Sequence, residues 1–95
     1  MRIRWTLLAT QDLEALDDYI SREDPVAAAR TALRVLDAIE RLVQHPGQGR
    51  PGRVPGTREL VIPTLPYIVA YRVDMAETLV VLRVLHAAMK WPEKL

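Results

Sequence analysis

The chain has 95 residues, 13 Lys and Arg against 12 Asp and Glu, a formal net charge of +1 and 49% apolar residues. That is one domain, spanning 1–95, with the composition of a folded chain rather than a disordered one. The absence of cysteine excludes disulfides and thiolate zinc sites and fits a cytoplasmic home. Met1-Arg2-Ile3-Arg4-Trp5 lacks the apolar stretch of a secretion signal, and no run of about eighteen apolar residues is present to span a membrane. Near-zero net charge supplies no whole-molecule attraction to a polyanion. The charges are nevertheless sorted. Acidic residues crowd the first half, whereas five arginines (Arg50, Arg53, Arg58, Arg72, Arg83) lie between Arg50 and Arg83.

In chain order, Ile3 to Trp5 alternates apolar and basic residues and predicts a short strand. From Ala9, the recurrence of Leu13, Leu16 and Ile20 predicts a helix that stops near Glu23. Asp24-Pro25 reads as an N-cap followed by proline in the first helical position, where its missing N–H costs nothing. The second helix carries Ala29, Ala32, Leu36, Ile39 and Val43 as its expected core stripe, broadened by Leu33 and Leu42, and ends at His45-Pro46-Gly47. So short a link predicts an antiparallel helical hairpin.

Pro46 to Gly56 holds all four glycines and three of the seven prolines, which predicts a loop. Three strand-like runs follow, Thr57–Ile62, Tyr67–Val73 and Thr78–Leu85, the last two joined through Asp74-Met75-Ala76-Glu77 as a hairpin. The predicted fold is α+β, in the order β-α-α-β-β-β, with the helical hairpin on one face of a mostly antiparallel twisted sheet.

Both faces of the last two strands are apolar. Alternation gives Leu79, Val81, Arg83 and Leu85 one side of the final run, and Val80, Leu82 and Val84 the other. Two helices can cover one face only. The other is therefore expected to be an open apolar surface with embedded arginines, of the kind that binds a partner. Trp91 is expected to anchor the tail.

Little of the usual catalytic equipment is present. His45 and His86 are the only histidines, in no ligand spacing, so no metal site is expected. The glycine-rich loop lacks the lysine ending of a phosphate cradle, and Ser21 is the only serine. What remains is Arg58, Arg72, Arg83 and His86, with Glu59 as the one nearby carboxylate. Metal-free RNA cleavage needs cations for the crowded phosphorane, a base and an acid. Arg58, Glu59, Arg83 and His86 could supply that set. Each also has a structural reading: Arg58 with Glu59 as a solvated strand pair, Arg72 paired with Asp74 or Glu77, and His86 as a hydrogen-bonder at a strand end. Arg83, among apolar neighbours, needs a partner.

Several features follow in order along the chain: Trp5, Ala9-x-x-x-Leu13, Tyr19-Ile20, Ala28-Ala29, His45-Pro46, Gly49-Arg50-Pro51, Gly56-Thr57-Arg58-Glu59-Leu60, Pro66-Tyr67-Ile68-Val69-x-Tyr71-Arg72-Val73 and Leu82-Arg83-Val84-Leu85-His86. This set resembles the RelE/ParE superfamily of bacterial type II toxins over nearly the whole chain. The resemblance implies a growth-arresting toxin, without cofactor, neutralised in a hetero-oligomer by a cognate antitoxin that folds around it. Its target would be either DNA gyrase, as for ParE-like members, or mRNA on the ribosome, as for RelE-like and YoeB-like nucleases. Carried over from the YoeB-type site, His86 matches the acid histidine, whereas Gly52, Ile68 and Ala87 stand where a glutamate, an arginine and a tyrosine are expected. The RelE-type basic tail with its tyrosine is likewise missing from His86 to Leu95. The resemblance thus leans to a gyrase poison, with Arg53, Arg72, Leu79, Val81, Leu85 and Trp91 as contacts to target or antitoxin. An inert relative or adaptor domain is the third reading.

Overall fold

The computed structural model describes residues 1–95. Its elements are β1 (Arg2–Trp5), α1 (Leu7–Ser21), α2 (Pro25–Gln44), β2 (Arg50–Pro51), β3 (Arg58–Val61), β4 (Tyr67–Val73) and β5 (Thr78–His86). The five strands form one sheet in the order β1-β5-β4-β3-β2, antiparallel except that β1 runs parallel to β5. The α+β class and the order of helices and main strands are as the sequence predicts. No helix is long and apolar enough to cross a membrane.

Local chemistry sets the helix ends. Thr6 caps α1 by accepting from the Ala9 N–H through its hydroxyl, which in turn donates to the Leu82 carbonyl of β5. Asp24 caps α2 by accepting from the Ala27 N–H, with Pro25 at the start of the helix and His45 as its C-cap. At the β4–β5 turn, Asp74 accepts from both the Ala76 and Thr78 N–H groups. Glu77 there adopts φ +56°, a left-handed conformation costly for a side chain with a Cβ.

The core lies between the helices and one sheet face. It joins Ala9 and Leu16 of α1 and Val35, Ile39 and Leu42 of α2 to Leu60, Val69, Tyr71, Leu79, Val81 and Val84. The α1 stripe is the expected one. The α2 stripe is as expected only in part: Ile39 and Leu42 are buried, but Ala28, Thr31 and Val35 complete the buried face, while Ala29, Leu33 and Leu36 face solvent. Both stripes are apolar at helical spacing, so periodicity alone could not choose between them, and the rotation is set by packing onto the sheet.

Two further differences arise in the sheet. The glycine-rich loop contributes the two-residue strand β2 at an edge, where proline is tolerated. A bulge between Ala70 and Tyr71 of the β4 register leaves Leu82 of β5 without a partner, so Val84 joins Leu79 and Val81 on the helical side and strict alternation fails. The non-helical face is also closed rather than open. Ile68, Ala70, Val80 and Leu85 are all buried. The tail crosses this side: Trp91 stacks on the Arg53 guanidinium at 4.0 Å, and the Arg53 N–H donates to Glu59, a neighbour of Ala70 on that face.

Candidate functional site

The residues expected to do chemistry are held by four separate sets of contacts. Glu59 is 2% exposed. Its Oε2 accepts from the Arg53 N–H at 2.8 Å and its Oε1 from Arg50 Nη2 at 3.2 Å, with Arg53 Nε at 3.6 Å. The carboxylate therefore pins the β2 loop to β3. Arg58, beside it in sequence, points elsewhere and donates to the Gly49 carbonyl at 2.7 Å and more weakly to that of Gly47. No Arg58–Glu59 pair forms.

Arg83 finds its partner in Asp12 of α1, a residue that sequence reasoning placed only among the acidic residues of the first half. Arg83 Nε and Nη2 donate to the two Asp12 oxygens at 2.7 and 2.9 Å, and Oδ2 also accepts from the Val84 N–H at 3.0 Å. Both side chains are 15% exposed. This hydrogen bond with Asp12, aided by the carboxylate's charge and opposed by burial, holds the guanidinium more firmly protonated than usual. β1 covers β5 only from Thr78 to Val81; beyond it, the Asp12 carboxylate caps the strand edge. The available signal was the need of Arg83 for a counter-charge, but nothing local identified Asp12. Arg72 is half-buried and makes no ion pair with Asp74 or Glu77.

His86, exposed at the end of β5, accepts the Ala88 N–H on Nδ1 and packs edge-on against Tyr67, with ring centroids 5.6 Å apart. Its neutral ring therefore carries the proton on Nε2. His86 borders an open, largely apolar groove of about 520 Å³ between α1 and the end of β5, together with Tyr19, Pro66, Tyr67 and Met89. Burial pushes the Tyr67 hydroxyl above its ordinary pKa, and the neighbouring Tyr19 adds to the shift. Sequence reasoning missed this groove, because its walls come from elements far apart in the chain.

Arg58, Glu59, Arg83 and His86 thus do not converge on one reacting centre. Leu79 and Val81, expected as contacts on an open face, belong to the core beneath the helices, and Leu85 is buried on the opposite side. Of the expected contact residues, Arg53, Arg72 and Trp91 keep some exposure. There is no group of three or more His, Asp or Glu residues that could hold a metal ion.

Tyr71 supplies the remaining polar centre. Its buried hydroxyl donates to the Pro46 carbonyl at 2.6 Å and accepts from the Gly49 N–H at 2.9 Å. It fixes the start of the glycine-rich loop. Burial raises its pKa, offset in part by the Gly49 hydrogen bond and the charge of Arg58.

Comparison with known proteins places these features in a family. The model of the ParE toxin of the type II toxin–antitoxin system parDE matches residues 3–91. A Sinorhizobium fredii protein named "Putative toxin Y4kP" is 45% identical over 94 residues, covering 99% of this chain and 96% of that protein. Toxin RelE2 of Caulobacter vibrioides is 39% identical over 88 residues, covering 92% and 96%. Among solved structures, the chromosomal ParDE system of P. aeruginosa superposes with TM-score 0.80 and the RelBE2 toxin–antitoxin complex of Mycobacterium tuberculosis with 0.61. Each is 30% identical and covers 90% of this chain and 95% of its counterpart. The chain belongs to the ParE toxin family, within the RelE/ParE superfamily, and is a toxin of a type II toxin–antitoxin system.

Proposed function

We propose that this toxin is a ParE-like poison of DNA gyrase, which acts in the cytoplasm by binding and is neutralised by a cognate antitoxin protein. The observation that carries the reading is the state of Glu59. It is the only carboxylate of the candidate nuclease set, yet it is buried and both its oxygens accept from the β2 loop. A general base must reach the proton it abstracts. Arg83 is likewise committed to Asp12. The reading requires no metal or cofactor, and it leaves Arg53, Arg72 and Trp91 as candidate contacts to gyrase or antitoxin. The higher structural similarity to the ParDE system than to RelBE2, at equal identity, points the same way. Both of those structures are of toxin–antitoxin systems, which supports an antitoxin partner here.

Two observations favour a ribosome-dependent nuclease instead. His86 is exposed at the mouth of a groove, and a relative named RelE2 is 39% identical. The two readings separate in one experiment: purified toxin is added to a gyrase supercoiling reaction and, in parallel, to programmed ribosomes. Cleaved plasmid trapped on gyrase, with intact mRNA, is the expected outcome. Codon-phased mRNA cuts with unimpaired supercoiling would overturn it.

A further inference from the structure

The net charge of +1 conceals two opposed layers. Residues 7–44, which form the helical hairpin, hold eight carboxylates against four arginines, a net of −4. The strands, loops and tail hold nine lysines and arginines against four carboxylates, a net of +5. A polyanion responds to the local field of such a layer rather than to the molecular total.

Three of those cations stand together. Ile3 and Trp5 pack on the core, so alternation turns Arg2 and Arg4 to the non-helical face. Arg4 is level with Val80, and Val80 with Arg72, in one row across β1, β5 and β4. The row lies toward the β4–β5 turn, at the opposite end of β5 from His86 and the tail. Two strand spacings separate Arg4 from Arg72 by about 10 Å, and two residues of strand separate Arg2 from Arg4 by about 7 Å. Arg2 and Arg4 are exposed, Arg72 is half-buried, and none of the three makes an ion pair. Glu59, the only carboxylate in the five strands, is held by Arg50 and Arg53. At the turn, Asp74 is occupied by two backbone N–H groups and Glu77 pairs with no arginine.

The surroundings select among polyanionic and protein partners. Val80, between Arg4 and Arg72, is fully buried, so the row offers a protein no apolar anchor. Single strands are gripped on aromatic rings, but Tyr67, Tyr71 and Trp5 all belong to the helical side. Adenine is read by amides, and the chain has no asparagine. Guanidinium groups alone suit phosphates. We propose that Arg2, Arg4 and Arg72 form a phosphate-binding face for duplex DNA, which engages the backbone without sequence preference. The inference deepens the gyrase reading and rests on it for its setting: gyrase holds a DNA duplex, and a toxin docked on gyrase lays this face along that duplex.

Fluorescence anisotropy of a labelled duplex of about 20 base pairs, titrated with the purified full chain, tests the face. Three phosphate contacts give an affinity that falls about 40-fold between 50 and 200 mM salt. The double variant Arg4→Gln, Arg72→Gln keeps most of both side-chain stems, and its folding is checked by circular dichroism. It should bind at least about tenfold more weakly at 50 mM salt, and its affinity should fall only about fourfold over the same range, as one remaining contact requires. Arg30→Gln, on the helical layer, should change neither quantity. In a parallel supercoiling reaction the double variant should inhibit gyrase less than the parent chain does. Four outcomes overturn the proposal: no duplex binding at 50 mM salt up to about 300 μM toxin, binding unchanged in the double variant, a tenfold preference for single-stranded RNA of the same length, or a double variant that keeps DNA and loses the antitoxin. DNA binding through these arginines with supercoiling untouched would support the face and sink the gyrase reading. Gyrase inhibition without DNA binding would do the reverse.

Discussion

Asp12 and Arg83, 71 residues apart in sequence, form a two-armed ion pair that ties the first helix to the last strand. Because both side chains are largely buried and Asp12 also accepts the Val84 N–H, removing one partner strands a charge. Arg83→Ala should lower unfolding free energy by about 3 kcal/mol, measured by urea denaturation. The variant Asp12→Asn, which keeps an acceptor for Val84, should cost less. If Arg83→Ala abolished toxicity while leaving stability unchanged, the arginine would act on the target rather than within the fold.

The Tyr71 hydroxyl predicts a pH dependence. Its pKa is raised in the folded chain above the ordinary 10.0, chiefly by burial. A group with a raised folded pKa binds its proton more tightly in the native state. Its contribution is therefore complete below pH 10 and is lost as pH climbs through the folded value. Thermal stability should fall above pH 10, and Tyr71→Phe should flatten that fall. The same variant, at neutral pH, leaves the Gly49 N–H and the Pro46 carbonyl without their partner, at a cost of about 1–3 kcal/mol.

Gly49 depends on the same tyrosine. A Cβ there would lie 2.6 Å from the Tyr71 hydroxyl and 3.0 Å from the Glu59 carbonyl, so the loop fits against β3 and β4 only because a glycine stands at this place. Gly49→Ala should destabilise by about 2 kcal/mol. Gly47→Ala, which meets nothing within 4 Å, should not. Melting curves of the two variants give the comparison directly.

Trp91 presents the opposite case, because its Nε1 is buried without a hydrogen-bond partner. Trp91→Phe removes that unsatisfied donor while keeping an aromatic face for Arg53, and it should match the parent chain in stability to within about 0.5 kcal/mol. Trp91→Ala should instead remove the ring that stacks on Arg53 and loosen the tail from the sheet, seen as increased binding of a hydrophobic dye. Equal dye binding by both variants would mean that the tail does not cover this face.

Much of the fold was legible because the deciding signals are local. Asp24-Pro25 starts a helix, His45-Pro46 ends one and Asp74 organises a turn, each through backbone groups within four residues. The rotation of α2 was legible only in part: Ile39 and Leu42 were expected in the core, but Ala29, Leu33 and Leu36 are as apolar as Ala28 and Val35, and packing on the sheet chooses between them. Nor was the bulge beside Leu82, which reassigned Val84 to the helical side, or the burial of Ile68, Ala70, Val80 and Leu85 on the face expected to be open. The candidate site was the least legible part. Arg83 declared a need for a counter-charge, yet its partner lay near the opposite end of the chain. Glu59 and Arg58, neighbours in sequence, point to opposite sides of a strand.

The parallel pairing of β1 with β5 has a consequence for synthesis. The first strand emerges from the ribosome without a partner, and its partner is the last strand to be made. At roughly 5–20 residues per second, β1 waits several seconds as a lone edge while the chain lengthens. Thr6 and Asp12 wait with it, since their bonds are to Leu82, Arg83 and Val84. A product broken off before β5 cannot close its sheet or anchor α1.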